Sequence, residues 1–262
     1  MSWDLRAGDA LAGLKTLPSQ SVDLVLADPP YGLAWTEIAF KTRGNMNTPI
    51  DWDHYETPMD YTAFSTAWIR EAARILRPTG TLLVWGSIET LAYTKTWYEE
   101  EGLTHKGFVA WAKSNPMPSV RKRTYRSAME TVFWAVKGKG YTFNFDDQRH
   151  MRNVWEEAVP HAKIRRHRTQ KPMGLTRHLI EVHTRPNDLI VVPFAGSGVE
   201  MVVAERLKRH VIGWELDPES YQKALHWLDT EHLQAQVTRA PLLQEDYVAP
   251  RGADEEGTHG RL

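Results

Sequence analysis

The residues of this chain best suited to chemistry are Asp28, Pro29, Pro30 and Tyr31, which follow an apolar run at 22–27. Each proline lacks an N–H and fixes its own φ at about −65°, so the turn is stiff. The first proline also favours an extended backbone at Asp28. A carboxylate, a backbone carbonyl without a helical partner and a tyrosine ring therefore meet at the end of a buried strand. In open α/β sheets that edge is where ligands bind.

A second turn with chemical potential is the glycine-rich stretch Phe194–Gly198, between a predicted strand and a predicted helix. Such a turn places backbone N–H groups and the start of a helix beside a ligand. A dinucleotide site would need a third glycine where Met201 stands, so the turn favours a nucleoside ligand without a pyrophosphate. Glu215 follows the next strand at the spacing of an acid that binds ribose hydroxyls. Taken singly, these features are equally typical of a plain turn and a solvated acid.

The elements that must position these turns are visible as alternating apolar patterns. Strands and helices that alternate along the chain predict an α/β fold with a mostly parallel sheet. The predicted strands are at 3–6, 22–27, 81–85, 107–111, 130–136, 188–192 and 211–214. The predicted helices are at 10–17, 61–76, 89–101, 175–184, 199–207 and 220–233. The strands at 107–111 and 130–136 flank a basic loop and are predicted to pair in antiparallel fashion.

The composition predicts one globular domain. The chain has 262 residues, of which 42% are hydrophobic and 25% are charged, so it is long enough to bury a full core. We assign residues 1–248 to that domain and expect the polar tail 249–262 to be disordered. There is no cysteine, no apolar run of membrane-spanning length, and no His, Asp or Glu cluster at metal-ligand spacing. We therefore expect a cytoplasmic protein without disulfides, metal or membrane contact.

The net charge of −1 conceals a strong asymmetry between two parts of the chain. Residues 113–177 contain 15 Lys and Arg against 5 Asp and Glu, and the remainder is correspondingly acidic. Charge segregation of this kind favours a polyanion, above all a nucleic acid, as the partner of the middle segment. A solvated basic surface is the alternative interpretation.

The two turns together resemble those of the amino-methyltransferases of DNA, which use S-adenosylmethionine. Their order, with Asp28–Tyr31 first and Phe194–Gly198 second, resembles the circularly permuted beta class with the DPPY motif. Further similar stretches lie at 8–9, 17–24, 74–80, 141–144 and 167–172, with Arg168 where the family commonly has proline. The resemblance implies a Rossmann-like methyltransferase fold, with a mostly parallel seven-stranded sheet and an antiparallel hairpin.

The resemblance also implies a catalytic role for Asp28, Pro29, Pro30 and Tyr31. The exocyclic amino group of a base is a poor nucleophile, because its lone pair is delocalised into the ring. A carboxylate at Asp28 and the carbonyl of Pro29, accepting its two N–H bonds, would localise that lone pair. The base would be flipped out of the duplex and stacked on Tyr31. A purely structural strand cap is the alternative role for these residues.

The cofactor residues follow from the same resemblance, with Asp9 and Ala10 at the adenine, Glu215 at the ribose and Lys171 near the methionine carboxylate. Asp9 could equally cap the helix that follows it, and Lys171 could be one more basic surface residue. The complete set for S-adenosylmethionine is Asp9, Ala10, Asp28, Lys171, Phe194, Ala195, Gly196, Ser197, Gly198, Glu215 and Leu216.

DNA recognition is assigned to basic residues in two places. A target-recognition insertion is expected at about 140–166, and a second basic loop at 121–126 is expected to meet the backbone. The loop at 32–58 could close over the flipped base or contact a second subunit. The proposed DNA-binding residues are Arg121, Lys122, Arg123, Arg126, Arg149, Arg152, Lys163, Arg165 and Arg166.

These observations predict a site-specific methyltransferase acting on the N6 amino group of adenine in double-stranded DNA. Within the family that the chain resembles, an aspartate at the position of Asp28 favours adenine as the target, and N4-cytosine is the alternative target. A catalytically silent DNA-binding protein of the same fold is a second hypothesis, and RNA methylation a third. A homodimer and a cognate restriction endonuclease are the expected protein partners.

Overall fold

The computed structural model describes residues 2–31, 58–119, 122–163, 165–167 and 169–239. In this part of the chain eight strands form one sheet, flanked by six helices. The strands are β1 (Trp3–Ala7), β2 (Val22–Ala27), β3 (Leu76–Gly86), β4 (Thr104–Lys113), β5 (Met129–Val136), β6 (Val154–Glu157), β7 (Leu189–Val192) and β8 (His210–Glu215). The helices are α1 (Ala10–Lys15), α2 (Pro58–Ile75), α3 (Ile88–Glu100), α4 (Met173–His183), α5 (Val199–Arg206) and α6 (Pro218–Arg239).

The strand order is β1-β8-β7-β2-β3-β5-β4-β6. Among these strands β5 runs antiparallel to both of its neighbours, and the other pairings are parallel. The predicted α/β class, the mostly parallel sheet and the antiparallel β4–β5 pair are therefore confirmed. Because β5 runs backwards, its first residues lie at the same edge as the carboxyl ends of the parallel strands.

The prediction of seven strands is wrong, because β6 extends the sheet by one strand beyond β4. The pairing is parallel and runs from Ala110 opposite Val154 to Lys113 opposite Glu157. This strand is short, polar and at most half-buried, so it carries no apolar alternation by which the sequence could reveal it. Trp111 anchors it by donating its indole N–H to the carbonyl of Glu157 at 2.8 Å. Part of the segment predicted as an insertion is thus continuous with the central sheet.

Helices cover both faces of the sheet, which explains why β2 is apolar along its length. Leu24 and Leu26 face the core under α4, α5 and α6, whereas Val25 faces the core under α1, α2 and α3. No helix in the described ranges combines the length and the apolar character needed to cross a lipid bilayer.

The neighbouring strands β2 and β7 form the topological switch point of the sheet. The chain leaves β2 through α2 toward β3 on one side, and leaves β7 through α5 toward β8 on the other. Connections that diverge in this way open a crevice at the carboxyl ends of the two strands. The two predicted functional turns, Asp28–Tyr31 and Phe194–Gly198, flank that crevice because one follows β2 and the other follows β7.

A close helix–strand contact holds α1 at the same edge. A Cβ built on Gly13 would lie 2.2 Å from the ring of Trp214 on β8, so only glycine allows this approach. The contact places the first turn of α1, with Asp9 at its N-cap, beside the end of β8.

Candidate active site

The Asp28 carboxylate, the Tyr31 hydroxyl and the Lys171 ammonium meet in a triangle of polar contacts at the end of β2. Oδ1 of Asp28 accepts a hydrogen bond from the Tyr31 hydroxyl at 2.8 Å and pairs with Nζ of Lys171 at 3.0 Å. Lys171 also donates to the Tyr31 hydroxyl at 2.9 Å. Within the described part of the chain no residue bonds Oδ2 of Asp28 or the carbonyl of Pro29. Two acceptors therefore remain for a ligand amino group.

Lys171 belongs to a series of buried side chains with alternating charge, which begins at Asp28 and continues through Glu130. Its ammonium lies 3.0 Å from Oε2 of Glu130, whose Oε1 is 2.6 Å from Nζ of Lys113. The rings of Trp85 and Tyr31 lie 5.1 Å and 5.2 Å from the ammonium of Lys171. Buried charges are tolerated when each meets an opposite charge, and here every carboxylate faces a lysine.

The pKa values of these groups follow from burial and mutual attraction. Burial raises the pKa of Asp28, and the attraction of Lys171 reverses only part of that effect. Burial alone would lower the pKa of Lys171, but Asp28, Tyr31 and Glu130 outweigh it and hold the pKa well above its usual range. Burial likewise opposes the ionisation of Glu130, yet Lys171 and Lys113 bring its pKa down to about 2. Lys171 and Glu130 are therefore charged at neutral pH.

One of the two sequence interpretations held that Lys171 is a surface residue. That interpretation is wrong, because only 3% of the residue is exposed. It lines the crevice, but its ammonium is engaged by the two carboxylates and by Tyr31. The predicted contact with the methionine carboxylate of a cofactor stays a prediction.

The crevice between β2 and β7 widens into a cleft at the carboxyl ends of β1, β2, β7 and β8, and this cleft brings the predicted cofactor residues together. All of them except Gly198 line this cleft. Gly198 is instead the N-cap of α5, with a left-handed φ of +78° and Ala224 of α6 packed against it. An added Cβ would lie 3.1 Å from the Cβ of Ala224, so this glycine allows the two helices to approach.

The backbone of the glycine-rich turn is bonded within the protein. Ala195 N–H donates to the Trp214 carbonyl at 2.8 Å, Gly196 N–H to Oε2 of Glu215 at 2.7 Å, and Gly198 N–H to the Ala195 carbonyl at 2.7 Å. These three N–H groups therefore already have partners within the protein. Gly196 has a left-handed φ of +51°, and what the turn offers is a wall that a ligand can approach closely.

Glu215 and Asp9 are acids held in fixed orientations on the cleft wall. Glu215 accepts from Gly196 N–H through one oxygen and from Asp217 N–H at 2.8 Å through the other. Asp9 caps α1 by accepting from Ala12 N–H at 2.7 Å and also lines the cleft, so both of its predicted roles are compatible. Each carboxylate oxygen can accept more than one hydrogen bond, which suits a ligand rich in hydroxyl and amino donors.

Several cleft residues were missed by sequence reasoning, namely Phe64, His167, Gln170, Trp214 and Glu200. Phe64 and Trp68 pack against Phe194 at ring distances of 6.1 and 5.7 Å, which fixes that ring at the cleft. Burial lowers the pKa of His167 and raises that of Glu200 to about 8. Only the tertiary fold assigns these side chains to the cleft, because neither their type nor their spacing distinguishes them.

The predicted DNA-binding residues differ in their exposure and in their contacts with the protein. Lys122, Arg123, Arg149, Arg152 and Lys163 are exposed, whereas Arg165 is half-buried. Two others have partners within the protein: Arg126 donates to the carbonyls of Met117 and Pro116, and Arg166 lies 4.3 Å from the ring of Trp227. Residues 32–57 of the predicted loop, Arg121, Arg168 and the tail 249–262 lie outside the described residues.

His183, the last residue of α4, lies in the core and not at the surface. His183 is 4% exposed and packs against Trp134 and Phe143 at ring distances of 5.0 and 5.5 Å. Burial lowers its pKa to about 3, so it is a neutral core residue.

Three described residues, Asp146, Asp147 and His150, have potential ligand atoms within 4.8 Å of one another. All three are exposed, and exposed acidic groups are common without an ion. The prediction that the chain holds no metal remains a prediction.

The fold and the crevice define a class, the DNA methyltransferases with a mixed α/β sheet. The chain superposes on the M1.HpyAVI–SAM complex with a TM-score of 0.69 and 28% identity, covering 87% of this chain and 99% of that one. It also superposes on the PvuII cytosine-N4-specific DNA methyltransferase with a TM-score of 0.67, covering 89% and 94%. At 19% identity, the second likeness is one of fold alone.

Sequence comparison makes the assignment specific. The profile of the N6/N4 DNA methylase family matches residues 22–226. The type II methyltransferase M.HinfI of Haemophilus influenzae is 32% identical over 226 residues, which are 79% of this chain and 63% of that protein. M2.DpnII of Streptococcus pneumoniae is 31% identical over 240 residues, 86% of this chain and 88% of that protein. This chain belongs to the N6/N4 DNA methylase family.

Proposed function

We propose that this chain is a site-specific DNA methyltransferase that transfers a methyl group from S-adenosylmethionine to the N6 amino group of adenine in duplex DNA. The observation that carries the proposal is Oδ2 of Asp28, an acceptor of a crevice-lining residue that has no partner in the described part of the chain, next to the equally unbonded carbonyl of the buried Pro29. An exocyclic amino group has two N–H donors, and these two acceptors match them.

S-adenosylmethionine is the cofactor, and the cleft residues fit it. Asp9 and Glu215 offer carboxylates to the donors of an adenosine, and the fixed ring of Phe194 offers an apolar wall. The left-handed turn at Gly196 allows a close approach to the backbone. When bound, the cofactor supplies a methyl group activated by a sulfonium.

Asp28 polarises the target amino group, and its contact with Lys171 holds the carboxylate in position. Because Oδ1 is occupied by Tyr31 and Lys171, Oδ2 is the oxygen that is left for a ligand. Hydrogen bonds from the amino group to Oδ2 and to the Pro29 carbonyl localise the nitrogen lone pair. The methylated nitrogen must then lose a proton, and Oδ2 of Asp28 is the adjacent acceptor, made more basic than an ordinary aspartate by burial.

The base must leave the duplex to reach Asp28, because an enzyme cannot reach the target amino group of a base that is still stacked in the duplex. We propose that Tyr31 stacks on the flipped base and that the exposed basic residues bind the DNA backbone and read its sequence. These residues lie on the β4–β5 loop and in the segment 140–166. A homodimer, a cognate restriction endonuclease and a single domain spanning 1–248 are further parts of this proposal.

The order of the elements supports the permuted beta class with the DPPY motif. The catalytic turn follows β2 near the start of the chain, and the cofactor turn follows β7 far downstream, although β2 and β7 are neighbours in the sheet.

Adenine is favoured over cytosine because the catalytic turn begins with Asp28. This preference is inferred by analogy with the family. Both targets are amino groups on aromatic rings, so N4-cytosine is the alternative. A silent DNA-binding protein of the same fold is disfavoured because Asp28, Lys171 and Glu130 maintain a costly buried network that DNA binding alone does not need.

The test is methyl transfer from labelled S-adenosylmethionine to duplex DNA of mixed sequence, followed by nucleoside analysis. We expect N6-methyladenine. N4-methylcytosine would establish the alternative target, and cofactor binding without incorporation would establish the silent protein. A parallel reaction with RNA of the same sequence should incorporate no label.

A further inference from the structure

Glu200 is a buried carboxyl group in the wall of the cofactor cleft to which the sequence assigned no role. It is the second residue of α5, it is 4% exposed, and it lines the same cleft as Asp28 and Lys171. Its side chain forms no hydrogen bond or ion pair with another described residue, and its own backbone N–H is the one donor that favours its charged form. A buried carboxyl group without a partner is costly, so its position calls for a ligand.

The groups around Glu200 do not include a cation that balances a negative charge on its carboxylate. Asp28 repels its negative form, and Lys171 attracts it more weakly. Lys171 is already shared between Asp28 and Glu130. Other titratable groups on the same cleft are Asp9 and Glu215, which are acids, and His167, whose pKa is lowered by burial. The protein itself therefore supplies no free cation for this carboxyl group within the described part of the cleft.

The cofactor assigned to this cleft has the missing charge. S-adenosylmethionine carries a sulfonium, an α-ammonium and an α-carboxylate at its methionyl end, so that end has a net positive charge, whereas its adenosine end is neutral. Methyl transfer requires the sulfonium to lie toward Asp28, and Asp28 is the acid that interacts with Glu200. Asp9 and Glu215, on β1 and β8, remain for the adenosine.

We propose that the Glu200 carboxylate is the counter-ion for the cationic methionyl end of S-adenosylmethionine, and that cofactor binding expels a proton from Glu200 to solvent. This inference rests on the proposed function for the identity of the ligand. The balance is simple: a neutral carboxyl group loses its proton, the proton goes to the buffer, and the carboxylate pairs with the cation that has entered.

The expected signature is linkage between cofactor binding and protons. Burial, reinforced by the Asp28 carboxylate, raises the pKa of Glu200 to about 8. Below that pH the empty site is protonated, so the dissociation constant should fall by about twentyfold between about pH 6 and pH 7.5. The α-ammonium changes less across this range, because with an ordinary pKa of about 8 it is still about three-quarters protonated at pH 7.5.

The experiment is isothermal titration calorimetry of the full chain with S-adenosylmethionine at about pH 6.5, in two buffers of different ionisation enthalpy. The wild type should release close to one proton per cofactor. Glu200→Gln should release far less, and its dissociation constant should be at least about tenfold weaker at pH 7.5 and nearly independent of pH. Glu219→Gln is the matched control, because it also removes an acid from the first turn of a helix but one that is exposed.

S-adenosylhomocysteine separates the two cationic groups, because it keeps the ammonium and lacks the sulfonium charge. Proton release with this ligand would assign the contact to the ammonium, and its loss would assign it to the sulfonium. The variant Glu200→Asp, which keeps a carboxyl group, should retain proton release even if the affinity drops.

Proton release and a pH slope that persist unchanged in Glu200→Gln would overturn the inference. If Glu200→Gln does not fold, an absence of proton release in the wild type or in Glu200→Asp would overturn it as well. A wild type that binds no S-adenosylmethionine at any pH would instead count against the proposed function, so the two failures are distinguishable.

Discussion

Nζ of Lys171 lies 3.0 Å from Oδ1 of Asp28, which joins the turn after β2 to the segment that leads into α4. The pairing makes Lys171 a positioning residue for the catalytic carboxylate: it occupies one oxygen and leaves the other open. Because Glu130 holds Lys171 from the opposite side at 3.0 Å, the ammonium is fixed between two carboxylates.

Replacing Lys171 by methionine tests this relationship. Lys171→Met keeps the length of the side chain but leaves Asp28 without a buried cation and Glu130 with Lys113 alone, so we expect a loss of about 3–5 kcal/mol in the free energy of unfolding. The pKa of Asp28 should also rise, so that residual methyl transfer shifts to higher pH. Chemical denaturation and a pH–rate profile measure both effects. Lys223→Met, at an exposed ion pair, is the control; equal stability of the two variants would contradict the assigned role.

Asp28 itself is tested by removal of its charge or of its whole carboxyl group. Asp28→Asn and Asp28→Ala should each lower the rate of methyl transfer by about 100-fold or more, because the amino group loses an anionic acceptor. Cofactor affinity should survive, since the adenosine end contacts other residues. Single-turnover rates and calorimetric dissociation constants separate the two quantities. Activity retained in Asp28→Ala would refute the catalytic assignment.

Glu215 is expected to act on the cofactor and not on the chemical step. Glu215→Ala removes the proposed ribose acceptor and also leaves Gly196 N–H without its partner at 2.7 Å. We expect the dissociation constant for the cofactor to rise by about 10- to 100-fold. Glu215→Gln keeps an acceptor oxygen and should show a smaller effect. If both variants bind the cofactor as the wild type does, Glu215 has no role at the ribose.

Local patterns were sufficient to predict the α/β class and the two turns, whereas most of the cleft residues were predicted from the family resemblance. A buried strand that ends in Asp28-Pro29-Pro30-Tyr31 carries its own geometry, because proline restricts the backbone wherever the chain runs. The glycine-rich turn likewise needs no tertiary information.

The features that sequence reasoning missed depend on strand order. Glu130 lies at the start of β5, and only the reversed direction of that strand brings it to the edge where Lys171 stands. Glu200 follows the glycine-rich turn as an ordinary acid in the first turn of a helix, and the sequence does not say that it faces the cleft. The strand β6 is too short and polar to be visible before β4 supplies its partner.

The stability of the cofactor-free protein should depend on pH through Glu200. Its pKa is about 4.5 in the unfolded chain and about 8 in the folded one, so the folded state binds the proton more tightly. The contribution of Glu200 to stability is therefore greatest below the unfolded pKa and falls as the pH rises toward 8, by an amount on the order of a few kcal/mol. Glu200→Gln should remove this part of the decline in urea denaturation curves at about pH 5 and pH 8. A slope identical to that of the wild type would show that Glu200 is ionised in the folded state.

Two arginines with the same predicted role should respond differently to substitution. Arg123 is exposed on the β4–β5 loop, whereas the guanidinium of Arg166 lies 4.3 Å from the ring of Trp227 on α6. Arg123→Ala should weaken DNA binding and lower the salt slope of the affinity by about one, with no change in thermal stability. Arg166→Ala should lower the free energy of unfolding by about 1 kcal/mol, because the stacked cation is lost. Salt-dependent DNA titrations and thermal melts of both variants check this contrast. If Arg166→Ala melts as the wild type does and reduces the salt slope, its guanidinium serves DNA and its contact with Trp227 contributes little to the fold.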